Sequence, residues 1–252
     1  MVRLGQNFLA DPNLLDAIVR DAELSPRDVV LEVGAGEGVL SGRLAVAAAH
    51  LHAVEIDRGL EPALAPVAAL PNVDLHWGDA MKLDLADLDP PPTAMVANLP
   101  YSVATPLILR TIEELPSLDR WTVMVQREIA DRLRAAPGSR IYGGPSAIAQ
   151  LACEIELVRP VDPAVFRPRP RVDSAILRLR RTGPGADAAM RELIRAAFAH
   201  RRKSLARSLE HARPGSLAAA RRALAELGLP EDSRAEALSP EDFAALSAKL
   251  RT

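Results

Sequence analysis

The chain has 252 residues, 48% hydrophobic and 25% charged, enough to bury a large α/β core and too apolar for wholesale disorder. Its one cysteine, Cys153, excludes an internal disulfide and a Cys-based zinc site. The net charge of −2 conceals an asymmetry: residues 1–100 carry 6 Lys/Arg against 15 Asp/Glu, whereas residues 167–222 carry 15 against 4, a basic band that points to a polyanionic partner such as nucleic acid.

The opening residues lack the apolar run of a signal peptide, and no stretch reaches the roughly eighteen apolar residues of a membrane span, so a soluble, cytoplasmic protein is expected. Asp11-Pro12 predicts a helix start, with a capping side chain followed by proline at the first helical position. Short apolar runs then alternate with helical patterns, which predicts βαβ units and a parallel sheet. The predicted strands are Val29–Val33, Leu51–Ile56, Val73–Trp77, Ala94–Ala97, Trp121–Val125, Glu154–Val158 and Ser174–Arg180. The proline-rich link Arg159–Pro170 is too short for a crossover helix, so the last two strands are expected to pair antiparallel. After Thr182-Gly183-Pro184-Gly185 a wholly helical tail is predicted, with helices over Ala186–Ala199, Lys203–His211 and Ser216–Leu227 and another from Ser239. The expected organisation is therefore two domains, 1–181 and 182–252.

Four strand ends carry candidate chemistry. Gly34-Ala-Gly36-Glu-Gly38 is a glycine-rich turn after the first strand, where the main chain can approach a ligand. The dinucleotide fingerprint G-x-G-x-x-G/A would need glycine or alanine at residue 39, which is valine. Glu55 ends the second strand, where an acid can bind ribose hydroxyls of either an adenosine-containing cofactor or NAD. Asp79, in Gly78-Asp79-Ala80, follows the third strand and can accept from an adenine amino group or cap a helix. Asn98-Leu99-Pro100-Tyr101 ends the fourth: an amide, a stiff proline and an aromatic ring suit a planar base with an exocyclic amine. Together these ends read as an S-adenosylmethionine site facing an amine acceptor. The five histidines, His50, His52, His76, His200 and His211, are scattered along the chain and read as surface or structural, so no metal site is expected.

The chain resembles the KsgA-type rRNA small-subunit (16S) adenine N6,N6-dimethyltransferase family nearly end to end. The resemblance rests on Gly5-Gln6-Asn7-Phe8-Leu9, Leu31-Glu-Val-Gly-Ala-Gly36, Glu55-Ile56-Asp57, Gly78-Asp79-Ala80 and Asn98-Leu99-Pro100-Tyr101. It also rests on Val125-Gln-Arg-Glu128, the loop Pro137–Gly143, Phe166-Arg-Pro-Arg-Pro-Arg-Val-Asp-Ser174 and Phe198–Leu205. It implies a Rossmann-like, seven-stranded class I methyltransferase sheet with a small C-terminal all-helical domain, using S-adenosyl-L-methionine. Implied cofactor contacts are Gln6, Asn7, Leu9, Gly34, Glu55, Asp79 and Asn98, with Gly36, Ile56 and Ala80 in the same motifs. The target adenine would lie between Tyr101 and Phe166.

The implied reaction is dimethylation of two adjacent adenosines near the 3′ end of 16S rRNA, by in-line methyl transfer to N6 of an unstacked adenine. Asn98 and the adjacent main chain would accept both amine hydrogens. Arg167, Arg169, Arg171, Arg201, Arg202 and Lys203 would hold rRNA phosphates, with Arg178, Arg180 and Arg181 extending the surface. The partner is the small ribosomal subunit, and a monomer is expected. One departure is Ala206-Arg207, where the family has Arg-Asn. The alternatives are a macrolide-resistance-type 23S rRNA adenine methyltransferase, a ribosome-assembly factor with dispensable catalysis and, disfavoured by Val39, an NAD oxidoreductase.

Overall fold

The computed structural model describes residues 7–251. In chain order these form β1 (Phe8–Leu9), α1 (Pro12–Asp21), β2 (Val29–Val33), α2 (Val39–Ala47), β3 (His50–Glu55), α3 (Glu61–Ala68), β4 (Val73–Trp77) and β5 (Ala94–Asn98). There follow α4 (Ala104–Glu114), β6 (Arg120–Gln126), α5 (Arg127–Leu133), α6 (Gly144–Ala152), β7 (Cys153–Val161), β8 (Phe166–Arg167) and β9 (Ser174–Arg181). The last helices are α7 (Ala188–Phe198), α8 (Leu205–Ala212), α9 (Leu217–Glu226) and α10 (Pro240–Lys249).

All seven predicted strands are present and make one sheet in the order β4-β3-β2-β5-β6-β9-β7. β2 pairs in parallel with both β3 and β5, β3 with β4 and β5 with β6, while β9 runs antiparallel to β6. Every residue of β2 is buried, which accounts for its unbroken run Val-Val-Leu-Glu-Val in place of alternation. α1 begins where Asp11 accepts from the main-chain N–H groups of Asn13 and Leu14, with Pro12 supplying a position that needs no donor. A second, two-stranded sheet pairs β1 with β8, Leu9 opposite Phe166 and Phe8 opposite Arg167. Two-residue strands carry no readable periodicity, and the sequence did not announce them.

The strand order reverses beside β2, with β3 on one side and β5 on the other. At such a switch point the connections leave in opposite directions and open a crevice at the carboxyl ends of the strands. Gly34, Glu55, Gly78 and Asn98 all sit at those ends.

The chain divides into two compact units, residues up to Ala130 with Ile155–Arg181, and Asp131–Glu154 with Thr182 onward. A division at 181/182 drawn from the sequence therefore leaves out 131–154, which packs with the helical tail. The cause is aromatic: Tyr142, from the Pro137–Gly143 loop, is fully buried with its ring 5.9 Å from Phe198, which lies 5.7 Å from Phe243. Ser146 and Gln150 of α6 close the segment by donating to the carbonyls of Arg132, Leu133 and Ala135. α10 starts on a reciprocal cap between Ser239 and Asp242.

Candidate active site

A cavity of about 460 Å³ opens at the switch point, within the range of small-molecule sites. Its lining runs from Asn7 and Phe8 through Gly34, Gly36, Glu55, Ile56, Asp79, Ala80 and Met81 to Asn98, Leu99, Pro100 and Tyr101. The glycine turn brings main chain to its floor: Gly34 donates to the Val54 carbonyl at 2.8 Å. Gly36 has φ +59°, a conformation that favours glycine, and a Cβ there would lie 3.3 Å from the Phe8 ring.

Glu55 is buried and already organised. One carboxylate oxygen accepts from Ile56 N and Asp57 N, each at 2.9 Å, and the other from Gly36 N at 2.8 Å. The acid thus fixes the glycine turn and retains lone pairs for a ligand's hydroxyls. Asp79 accepts from Met81 N at 2.9 Å, an Asx turn that orients its carboxylate. The turn is held from α4, where Arg110 donates to the carbonyls of Ala80 and Leu83 and pairs with Glu114. Nothing in the sequence marked Arg110, because its partners are main-chain atoms some thirty residues away. One further acid, Glu32 on β2, is fully buried, and burial, aided by the nearby Glu55 carboxylate, pushes its carboxyl up to about 8.

The acceptor tetrapeptide is pinned at each end. Asn98 donates its amide NH2 to the Asn7 carbonyl at 3.3 Å, which fixes the amide orientation and leaves its carbonyl oxygen as the group it offers. Leu99 N donates to the Met124 carbonyl at 3.0 Å, and the Pro100 carbonyl accepts from Val103 N at 3.1 Å. The Tyr101 hydroxyl lies 2.7 Å from Ser174 Oγ. Burial holds the Tyr101 phenol above its ordinary pKa, so the ring is uncharged.

Of the expected site residues, Asn7, Gly34, Gly36, Glu55, Ile56, Asp79, Ala80, Asn98, Leu99, Pro100 and Tyr101 come together around this cavity. Gln6 lies outside the described residues. Phe166 is not in the lining: it is 2% exposed and packs in the core with Leu9. Leu9 is core as well and is not in the lining. The residue missed was Phe8, whose side chain alternates to the opposite face of the same short strand.

Arg167, Arg169, Arg171, Arg201, Arg202 and Lys203 are all exposed. Arg178, Arg180 and Arg181 have partners within the fold, Arg180 while exposed, as does Arg201, which donates to the Arg140 carbonyl. Arg178 donates to the Asp21 carbonyl and pairs with Glu23, Arg180 pairs with Glu23, and Arg181 donates to the carbonyls of Leu118, Ile112 and Leu115. Among the described residues no helix is long and apolar enough to cross a membrane.

Comparison with known proteins agrees with this geometry. A protein of Rubrobacter xylanophilus named ribosomal RNA small subunit methyltransferase A is 47% identical over 252 residues, 98% of this chain and 94% of that protein. Among solved structures, a dimethyladenosine transferase from Plasmodium falciparum is 25% identical with a TM-score of 0.79, covering 95% of each chain. The 23S rRNA methyltransferase ErmE is 29% identical with a TM-score of 0.70, covering 98% of this chain and all of that one. The family model described as ribosomal RNA adenine dimethylase matches residues 2–251, and the chain belongs to that family.

Proposed function

We propose that the protein dimethylates N6 of two adjacent adenosines near the 3′ end of 16S rRNA in the small ribosomal subunit, with S-adenosylmethionine as methyl donor. The observation that carries this reading is the fixed Asn98 amide, whose NH2 is committed to Asn7 and whose carbonyl oxygen is left to accept from an amine. The name of the 47%-identical relative supports the small subunit over the large one.

The cavity residues suit this cofactor. Glu55 accepts from ribose hydroxyls, Asp79 from the adenine amino group, and Ile56 and Ala80 give apolar surface for a flat ring. Bound there, S-adenosylmethionine supplies an electrophilic methyl group on a positively charged sulfur.

The chain's own residues prepare the acceptor. The Asn98 carbonyl oxygen and the Leu99 main-chain carbonyl take the two N6 hydrogens; the Pro100 carbonyl is already occupied by Val103 N. With both hydrogens held, the N6 lone pair is drawn out of conjugation with the purine and becomes nucleophilic. The Tyr101 ring, held by Ser174, stacks on the extruded base. The methylated nitrogen is positively charged and passes its proton to solvent, so the uncharged Tyr101 phenol is not needed as a base. Arg167, Arg169 and Arg171 on the sheet unit, and Arg201, Arg202 and Lys203 on the helical unit, hold phosphates. The reading includes a monomer acting in the cytoplasm, and the single cysteine, buried, offers no disulfide for a covalent dimer.

Incubating the protein with unmethylated small subunits and, separately, large subunits, then mapping methylated adenosines by mass spectrometry, tests the reading. Dimethyladenosine at two adjacent positions of small-subunit rRNA is expected, and methylation confined to the large subunit overturns it. Light scattering on the same sample reports the oligomeric state.

A further inference from the structure

Three of the five histidines meet on β3 and the neighbouring edge strand β4. His50 and His52 share one face of β3, and Asp74 and His76 lie on β4, with His52 directly opposite Asp74 in the register. His50 Nε2 is 3.0 Å from Asp74 Oδ2, and His52 Nδ1 is 3.1 Å from His76 Nε2 and 3.9 Å from Asp74 Oδ2. The donor atoms of His50, His52 and Asp74 all lie within 4.8 Å of one another.

We infer that His50, His52 and Asp74 form a three-ligand site for a divalent transition metal of the zinc type, with a fourth position left to water, separate from the methyl-transfer cavity. Tetrahedral zinc with bonds of roughly 2.0–2.1 Å places its donors about 3.3 Å apart, and Asp74 Oδ2 lies 3.0 Å from His50 Nε2 and 3.9 Å from His52 Nδ1. The ligand set, two imidazoles and one carboxylate, suits zinc over calcium or magnesium, which prefer all-oxygen shells.

A second observation points the same way. His52 is fully buried, and its Nε2 lies 2.8 Å from the Pro90 carbonyl. A carbonyl only accepts, so Nε2 carries the proton and Nδ1 presents a lone pair to the cluster. That is the outer contact by which proteins orient a metal-binding imidazole. Asp74 at the exposed edge gives an ion its way in. The metal would clamp the edge strand β4 to β3. Those strands end at Glu55 and lead into Gly78-Asp79, so it would brace the cofactor side of the cavity without entering it.

The test uses the full chain stripped with a chelator and titrated with Zn²⁺ by calorimetry and with Co²⁺ by visible spectroscopy. One Zn²⁺ per chain, the intense visible bands of tetrahedral Co²⁺ and a raised melting temperature are expected. His50→Gln combined with Asp74→Asn removes two partly exposed ligands and leaves buried His52 alone; it should weaken Zn²⁺ binding at least roughly tenfold. His200→Gln combined with His211→Gln, a pair with rings 5.0 Å apart in the helical unit, should leave it unchanged. Pale octahedral Co²⁺ bands in the wild type, equal Zn²⁺ affinity in the His50/Asp74 variant, or loss in the His200/His211 variant overturns the proposal. The wild-type spectrum decides the coordination geometry even where a variant folds poorly.

Discussion

The hydroxyl oxygens of Tyr101 and Ser174 lie 2.7 Å apart, and Ser174 is fully buried at the start of β9. Seventy-three residues separate them, yet each belongs to a motif the sequence singled out, the acceptor tetrapeptide and the Pro-Arg-Val-Asp-Ser run. The serine at the end of that run is therefore a positioning residue for the stacking ring. Ser174→Ala leaves the phenol without its partner at a cost of about 1–3 kcal/mol, and kcat on rRNA is expected to fall by on the order of tenfold. Cofactor affinity should not change. Tyr101→Phe combined with Ser174→Ala should be no worse than Tyr101→Phe alone, because each removes the same contact. Additive losses in that double-mutant cycle would show that Ser174 acts elsewhere.

Arg110 clamps the turn that carries Asp79, donating to the carbonyls of Ala80 and Leu83. Arg110→Met keeps the apolar stem and loses both bonds and the Glu114 pair. Charge-assisted hydrogen bonds contribute about 1.5–3 kcal/mol, so the Kd for S-adenosylmethionine should rise roughly tenfold or more by calorimetry. A variant binding the cofactor as tightly as wild type would separate the clamp from the site.

How far the site was readable follows from where its residues lie. Asn98, Leu99, Pro100 and Tyr101 are consecutive, and Gly34, Glu55 and Asp79 sit at strand ends that an apolar run predicts, so parallel-sheet topology brings them together without further information. The second antiparallel ladder was not readable. β1 and β8 are two residues each, and their pairing turns Leu9 and Phe166 inward and Phe8 toward the glycine turn. The meeting of the histidines was not readable for a related reason: His76 becomes a neighbour of His50 and His52 only through the β3–β4 register. The basic band likewise mixes two populations, exposed arginines and arginines such as Arg181 that close helix ends.

Glu32 makes stability depend on pH. Its carboxyl titrates near 8 in the folded protein because of burial, against an ordinary value of 4.5. Between these values the folded state binds the extra proton, so stability falls as pH rises from about 4.5 to 8, by a total on the order of a few kcal/mol. Glu32→Gln removes the titration while keeping the shape. The variant should match wild type near pH 5 and melt higher near pH 8. Melting curves differing by a constant amount across that window would deny Glu32 this role.

Phe8 and Phe166 test the short ladder directly, because the sequence ranks Phe166 as the ring facing Tyr101 and the cavity lining holds Phe8. Phe166 is 2% exposed among core residues, so Phe166→Ala opens a cavity costing about 3–5 kcal/mol of stability. Phe8 is partly exposed at the cavity wall against Gly36, so Phe8→Ala removes a contact surface and little core. Phe8→Ala should therefore weaken S-adenosylmethionine binding with only a small drop in melting temperature. Phe166→Ala should lower the melting temperature strongly, and near 10 °C, where the folded protein persists, it should bind cofactor close to wild type. If Phe166→Ala instead kept its melting temperature and lost turnover on rRNA, Phe166 would leave the core during catalysis and the Tyr101–Phe166 sandwich would stand. A packed ring that costs several kcal/mol to extract makes the first outcome the expected one.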